Sequence, residues 1–149
     1  MTGGSPRLRP LPPAFLEQLA GHEELLVSSR DRQSRGTVPM WFAVVPPGYV
    51  YLLTPTYTRK AQRWQEDQWV RLRIPGTSQA VEGGVEEVAW EEAAADVGVL
   101  TQRFALAGAV TPESLRWMLQ DGSRRLLRAG LPAVADSAEP GAIETLDRG

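Results

Sequence analysis

The period of the apolar positions changes several times along the chain, and each change marks an element. Phe15, Leu16 and Leu19 share one face of a short helix over residues 12–20, with Pro13 in its first turn and Gly21 at its stop. Residues 25–29 are a compact apolar run and read as a strand, and residues 30–36 are polar and end at the turn residue Gly36. Residues 37–45 are β-branched and aromatic, which predicts a second strand, with Pro39 limiting its ladder bonds on one side. Pro46, Pro47 and Gly48 form a turn, and residues 49–54 predict a third strand that closes a hairpin. Pro55 breaks the pattern, and Thr58 is placed to cap a helix from Arg59 to Glu66 with Ala61 and Trp64 on its inner side.

Val70, Leu72 and Ile74 alternate with Arg71 and Arg73, the mark of a half-buried strand that Pro75 and Gly76 terminate. Residues 79–90 predict another strand or pair, bent at Gly83 and Gly84. Val97, Leu100 and Phe104 then recur at helical spacing up to Ala107. Thr111, Pro112 and Glu113 are a strong helix start. The pattern predicts a helix over residues 111–129, with Leu115, Met118, Leu119 and Leu126 inward, Arg116, Arg124, Arg125 and Arg128 outward, and Gly130 at its end. Strands joined by short turns pair antiparallel, so the expected class is α+β, an antiparallel barrel with helices at its side and ends. Residues 1–13 are expected to be a flexible leader, 14–130 the folded domain and 131–149 a loosely attached tail.

Composition narrows the chemistry. With 149 residues the chain is long enough for one domain with its own core. There is no cysteine and one histidine, His22, so disulfides, thiolate metal sites and histidine-rich metal sites are excluded; no metal is expected. No apolar run approaches a membrane span and no signal peptide is evident, so a cytoplasmic location is expected. A net charge of −2 and the lack of a nucleic-acid motif argue against a nucleic-acid partner. Of the 16 basic residues only Lys60 is lysine. Residues 82–96 hold six acids and no base, and read as a solvated acidic face.

The sharpest local feature is the segment Thr54, Pro55, Thr56, Tyr57, Thr58, Arg59, Lys60, where a strand gives way to a helix. A helix start offers unpaired N–H groups and a partial positive charge. Thr58 adds a hydroxyl, and Arg59 and Lys60 add two cationic donors, a set suited to a phosphate monoester. The same segment also reads as an ordinary capped surface helix with two solvated bases.

From Leu25 to about Trp90 the chain resembles the pyridoxamine 5′-phosphate oxidase-like family of FMN-binding split β-barrels. The resemblance rests on the hairpin Val38–Val44 and Tyr49–Thr54, on Thr58, Arg59 and Lys60 four to six residues after the strand-ending Thr54, and on Trp64 followed by Val70 to Arg73. It implies a split barrel in which Thr58, Arg59 and Lys60, together with Thr54, hold the FMN phosphate, while Val38, Pro39 and Met40 run beside the flavin ring. It also implies an oxidoreductase transferring hydride to or from a small-molecule substrate; the alternatives are a non-catalytic ligand-binding or regulatory split barrel that has lost flavin, or a deazaflavin-dependent reductase. The family's two further bases fall near Thr37 and Phe42, neither of them basic, and its C-terminal substrate-binding Arg-x-His has no counterpart here. No catalytic acid or base is evident; Tyr57 is the one phenol in the loop. Split barrels of this family build the flavin site from two subunits, so the resemblance implies a homodimer. The five tryptophans point the same way, with Trp41 or Trp69 expected near the contact.

Overall fold

Residues 37–45 form two strands where one was expected, and the break explains the architecture. In the computed structural model, which describes residues 8–29 and 37–132, β2 (Thr37–Trp41) and β3 (Ala43–Val45) are separated by the buried Phe42. The other strands are β1 (Glu24–Ser29), β4 (Tyr49–Pro55), β5 (Trp69–Arg73), β6 (Ala80–Glu87) and β7 (Arg124–Gly130). They form one seven-stranded sheet in the order β2-β1-β5-β6-β7-β4-β3. β2 and β3 are the two edges of that sheet and are one residue apart in the chain. The sheet must therefore curl until its edges meet at Phe42. Every pairing is antiparallel. The protein is α+β, an antiparallel split barrel with flanking helices.

The barrel interior is filled by the inward positions of each strand: Leu25 and Val27, Val50 and Leu52, Val70 and Leu72, Val85, Leu127 and Ala129. Helix α1 (Pro13–Leu19) adds Phe15 and Leu19 to this cluster, and α2 (Arg59–Glu66) adds Trp64. A second cluster lies on the outer face of β4 and β7, where Tyr51 and Leu126 meet Leu100 and Phe104 of α4 (Val97–Phe104) and Leu115 of α5 (Pro112–Gln120). Ala93, also in this cluster, comes from the short α3 (Trp90–Ala93). β4 and β7 are thus buried on both faces.

The helix expected over residues 111–129 is corrected to a helix and a strand. α5 starts as read, with a reciprocal cap: Thr111 Oγ1 accepts from Ser114 N–H (3.1 Å) and Ser114 Oγ accepts from Thr111 N–H (2.9 Å). It stops at Gln120 because Asp121 accepts from Ser123 N–H (2.8 Å) and Gly122 turns through φ +82°. The chain then enters β7, pairing with β4 from Val50↔Ala129 to Pro55↔Arg124. Arg128 is therefore no outward helical base. It ion-pairs with Glu86 and with Glu92 (2.6 Å), lies over the Tyr49 ring and is held protonated by those carboxylates against the opposing effect of its burial. The acidic stretch is correspondingly not all solvated. Residues 79–90 supply the single strand β6 and the start of α3.

Residues 8–11, expected in the leader, are packed onto the barrel. Arg9 exchanges backbone hydrogen bonds with Leu131 (2.9 and 2.8 Å), Leu11 is buried, and Tyr49 Oη donates to Leu8 O (2.8 Å). Leu131 is tied down by the same bridge. The remainder of the expected leader and tail lies outside the described residues. No helix among the described residues is long and apolar enough to cross a membrane.

Candidate functional site at the split

The opening in the barrel follows from the hairpin register. β3 pairs with β4 as Ala43↔Tyr51, Val44↔Val50 and Val45↔Tyr49. Continued, that ladder would set Met40 opposite Thr54. It stops at Ala43 because β2 leaves to pair with β1, as Leu25↔Met40 and Leu26↔Pro39. β2 and β4 stay in contact, so Val38, Pro39 and Met40 stand on one side of the split and Thr54 on the other. Val38 and Pro39 are exposed and Met40 is half-buried against the barrel core. An edge strand open in this way presents backbone donors and acceptors that a planar ring can meet.

At the foot of the split β4 runs into α2. Thr54 is 3% exposed, and its hydroxyl lies 3.2 Å from that of Thr58. Thr58 is the N-cap: its Oγ1 accepts from Ala61 N–H (3.2 Å) while its hydroxyl reaches Pro55 O (3.0 Å). Gln62 N–H is satisfied by Thr58 O (3.2 Å). The N–H groups of Arg59 and Lys60 come before the first helical acceptor, and with the helix dipole they make the positive end of α2. The Arg59 side chain is exposed. Lys60 Nζ lies over the Trp64 ring, 5.8 Å from its centroid, so its ammonium is drawn along the helix at this ring's face. Its flexible stem can carry it back toward the N-terminus.

The register brings in two cations that the sequence reading placed on a helix surface. Arg125 pairs opposite Thr54 and Arg124 opposite Pro55. The loop is fixed across the same gap, since Thr56 N–H donates to Ser123 O (3.1 Å) and Thr56 Oγ1 to Gly122 O (2.5 Å). Arg59 and Lys60 begin the helix at one side of this strand end and Arg124 enters at the other, while the Arg125 guanidinium turns to Gln65 of α2. The signal that could have located Arg124 and Arg125 is Asp121-Gly122, a turn dipeptide inside the apparent helix.

The remaining expected residues divide. Thr37 is exposed and hydrogen bonds to Ser28 Oγ (2.6 Å), whereas Phe42 is buried and cannot face the split. Tyr57 is 78% exposed. Among the described residues there is no group of acids and histidine that could hold a metal ion. Trp69 Nε1 donates to Glu82 (3.2 Å), while Trp41 on β2 stays 37% exposed.

No protein-family model matches the chain, and no curated protein matches it in sequence. Solved structures do match its fold. An FAD-binding protein from Mesorhizobium loti aligns over 85% of this chain and 93% of its own, at 13% identity and a TM-score of 0.54. HutZ, the heme storage protein from Vibrio cholerae, aligns over 83% of this chain and 91% of its own, at 16% identity and a TM-score of 0.52. A protein from Listeria innocua, provisionally named a pyridoxamine 5′-phosphate oxidase, aligns over 80% of this chain and 88% of its own, at 13% identity and a TM-score of 0.50. At these identities the likeness shows the split-barrel fold.

Proposed function

We propose that this protein is a flavin-binding split barrel that holds FMN at the split and serves as an oxidoreductase toward a small-molecule substrate. The observation that carries the reading is the capped start of α2, with Thr58, Arg59 and Lys60 at the foot of an opening whose other wall is Val38, Pro39 and Met40. The residue types suit a phosphate monoester: Thr58 brings a hydroxyl to a helix start, Arg59 and Lys60 are the next two residues, and Arg124 lies on the facing strand. Structural neighbours named for FAD binding and for pyridoxamine phosphate oxidation support the choice of a flavin. Bound FMN would supply the hydride chemistry, and this chain's residues would anchor the phosphate, orient the ring against the β2 edge and keep water from it. A deazaflavin coenzyme would use the same anchor.

A second reading is a barrel that binds its ligand without turnover. It is favoured by the exposure of Tyr57, which leaves no phenol turned into the split, and by the absence of bases at Thr37 and Phe42. The visible spectrum of the purified protein, with and without added FMN, separates the two from a barrel with no flavin. Protein-bound flavin absorption that bleaches under a reductant and returns in air supports the oxidoreductase reading; no flavin retained on gel filtration removes it.

The reading includes a homodimer. Trp41 and Val44 on the barrel wall and Leu106 at the end of α4 are exposed apolar groups, and Trp41 and Leu106 line one 170 Å³ depression. A two-fold contact over β2 would cover Trp41 and close over the split. Light scattering after size exclusion is expected to give twice 16.4 kDa at micromolar concentration; a monomer mass that persists with FMN added would contradict it.

A further inference from the structure

The inner side of α2 does not pack tightly against the sheet along its whole length. A cavity of 290 Å³ remains between the inner side of α2 and strands β6 and β7. Its wall includes Trp64, Gln65, Gln68, Glu87, Arg125 and Leu127, and it does not include Thr58, Arg59 or Lys60. It is a separate space from the proposed phosphate anchor.

Two acids and one base line this space, Glu86, Glu87 and Arg125, and no ion pair among the described residues joins Arg125 to either acid. Arg125 is on the inner face of β7, two residues from Leu127, which belongs to the barrel core. Its guanidinium meets a neutral group: the Gln65 amide oxygen, in the orientation that satisfies hydrogen bonding, accepts from both terminal nitrogens (2.5 and 2.6 Å). A half-buried cation answered only by an amide keeps an uncompensated charge. Glu87 stands opposite Leu127 in the β6–β7 ladder, which makes it the diagonal neighbour of Arg125, their backbone positions roughly 7–8 Å apart on the same face of the sheet. No ion pair joins the two among the described residues. The adjacent acid, Glu86, is already taken by Arg128, so Glu87 has no competing cation there.

We propose that this cavity binds a small zwitterion, specifically an α-amino acid. The carboxylate pairs with Arg125 beside Gln65, the ammonium meets Glu87, and the side chain lies against Trp64 and Leu127. An α-amino acid carries both charges on one carbon, so a single ligand answers both side chains that line this cavity. The volume agrees: at about 30 Å³ per water, 290 Å³ holds about ten non-hydrogen atoms, the size of a mid-sized amino acid. A simple anion would leave Glu87 unanswered and beside a like charge, and a simple cation would do the same to Arg125.

The test is isothermal titration of the full-length protein with L-leucine, L-glutamine and L-phenylalanine, then with leucinamide and N-acetyl-leucine. At least one of the free amino acids is expected to bind saturably. Leucinamide, which lacks the carboxylate, and N-acetyl-leucine, which lacks the ammonium, are each expected to bind at least tenfold more weakly than L-leucine. Glu87→Gln and Arg125→Gln are each expected to lose at least tenfold in affinity. Glu87 is exposed, so Glu87→Gln reports on the site even where Arg125→Gln disturbs folding. No saturable binding of any free amino acid overturns the proposal. So does N-acetyl-leucine or leucinamide binding as tightly as L-leucine, or a Glu87→Gln protein with undiminished affinity. None of these readouts depends on flavin, so this site and the flavin reading can fail separately.

Discussion

The two ends of the β4–β7 ladder are built on opposite principles. Where β4 begins and β7 ends, backbone lies against backbone. A Cβ on Gly130 would come within 2.5 Å of Arg9 O, and one on Gly83 within 2.0 Å of Gly130 O. Gly48, at φ +149°, admits the Leu16 side chain to 3.0 Å of where its Cβ would be. This end is sealed by residues 8–11 and α1, and its polar groups are paired with one another. Where β4 ends and β7 begins, the ladder carries Thr54, Arg124 and Arg125, a capped helix start and a 290 Å³ cavity. The sealed end is held by close backbone contacts, and the open end gathers charged side chains. Such separation lets a site keep charged groups while the rest of the barrel holds it in place.

The comparison breaks most readily at Gly83. Gly83→Ala forces a methyl group into a backbone oxygen, which cannot rotate away. Overpacking of this kind is expected to cost about 3 kcal/mol and to lower Tm by roughly 6–12 °C. Thermal unfolding by circular dichroism reads it, and an unchanged Tm would show that the sealed end is looser than described.

At the open end the expected cost is smaller. Thr58→Ala removes the cap on Ala61 N–H, worth about 1 kcal/mol, or roughly 2–4 °C in Tm. The same variant is expected to bind FMN more weakly. A loss in Tm as large as that of Gly83→Ala would erase the contrast between the ends.

The smallest effect lies midway along β4, at Tyr51. Burial raises its pKa above the ordinary 10.0, with Arg128 pulling the other way. In the unfolded chain the phenol ionises at its ordinary value, so the folded protein loses stability as the pH climbs from about 10 through the raised value. Denaturant unfolding above pH 10 is expected to be less pH-dependent in Tyr51→Phe than in the wild type. Identical slopes would mean that the middle of β4 is open to water.

How legible each end was in the sequence follows from the same contrast. The β3–β4 hairpin, the cap at Thr58 and β5 were plain because each has a strong local sign: a turn of Pro and Gly, a threonine before a helix, and strict alternation. β7 was misread as helix because Leu126 and Leu127 are both buried, one outward against α5 and one inward in the barrel. A strand covered on both faces loses its alternation, and arginine, leucine and alanine are good helix formers. The tie between Arg9 and Leu131 has no local sign, since it joins residues 122 apart. For the candidate site, the cap at Thr58 has a local sign in the sequence, whereas Arg125 and the cavity appear only once β7 is a strand. The neighbouring positions Thr37 and Phe42 looked equivalent in sequence but are separated by the kink that closes the barrel, which sends Phe42 into the core.

The central claim is that the start of α2 anchors a flavin phosphate. Titrating FMN into the wild type and into Lys60→Ala, with flavin fluorescence as the readout, tests it most directly. Loss of one charge-assisted contact is expected to cost roughly 1.5–3 kcal/mol, about 10–100-fold in affinity, with the melting temperature nearly unchanged. Equal affinities in the two proteins, or no binding by the wild type, would contradict the account.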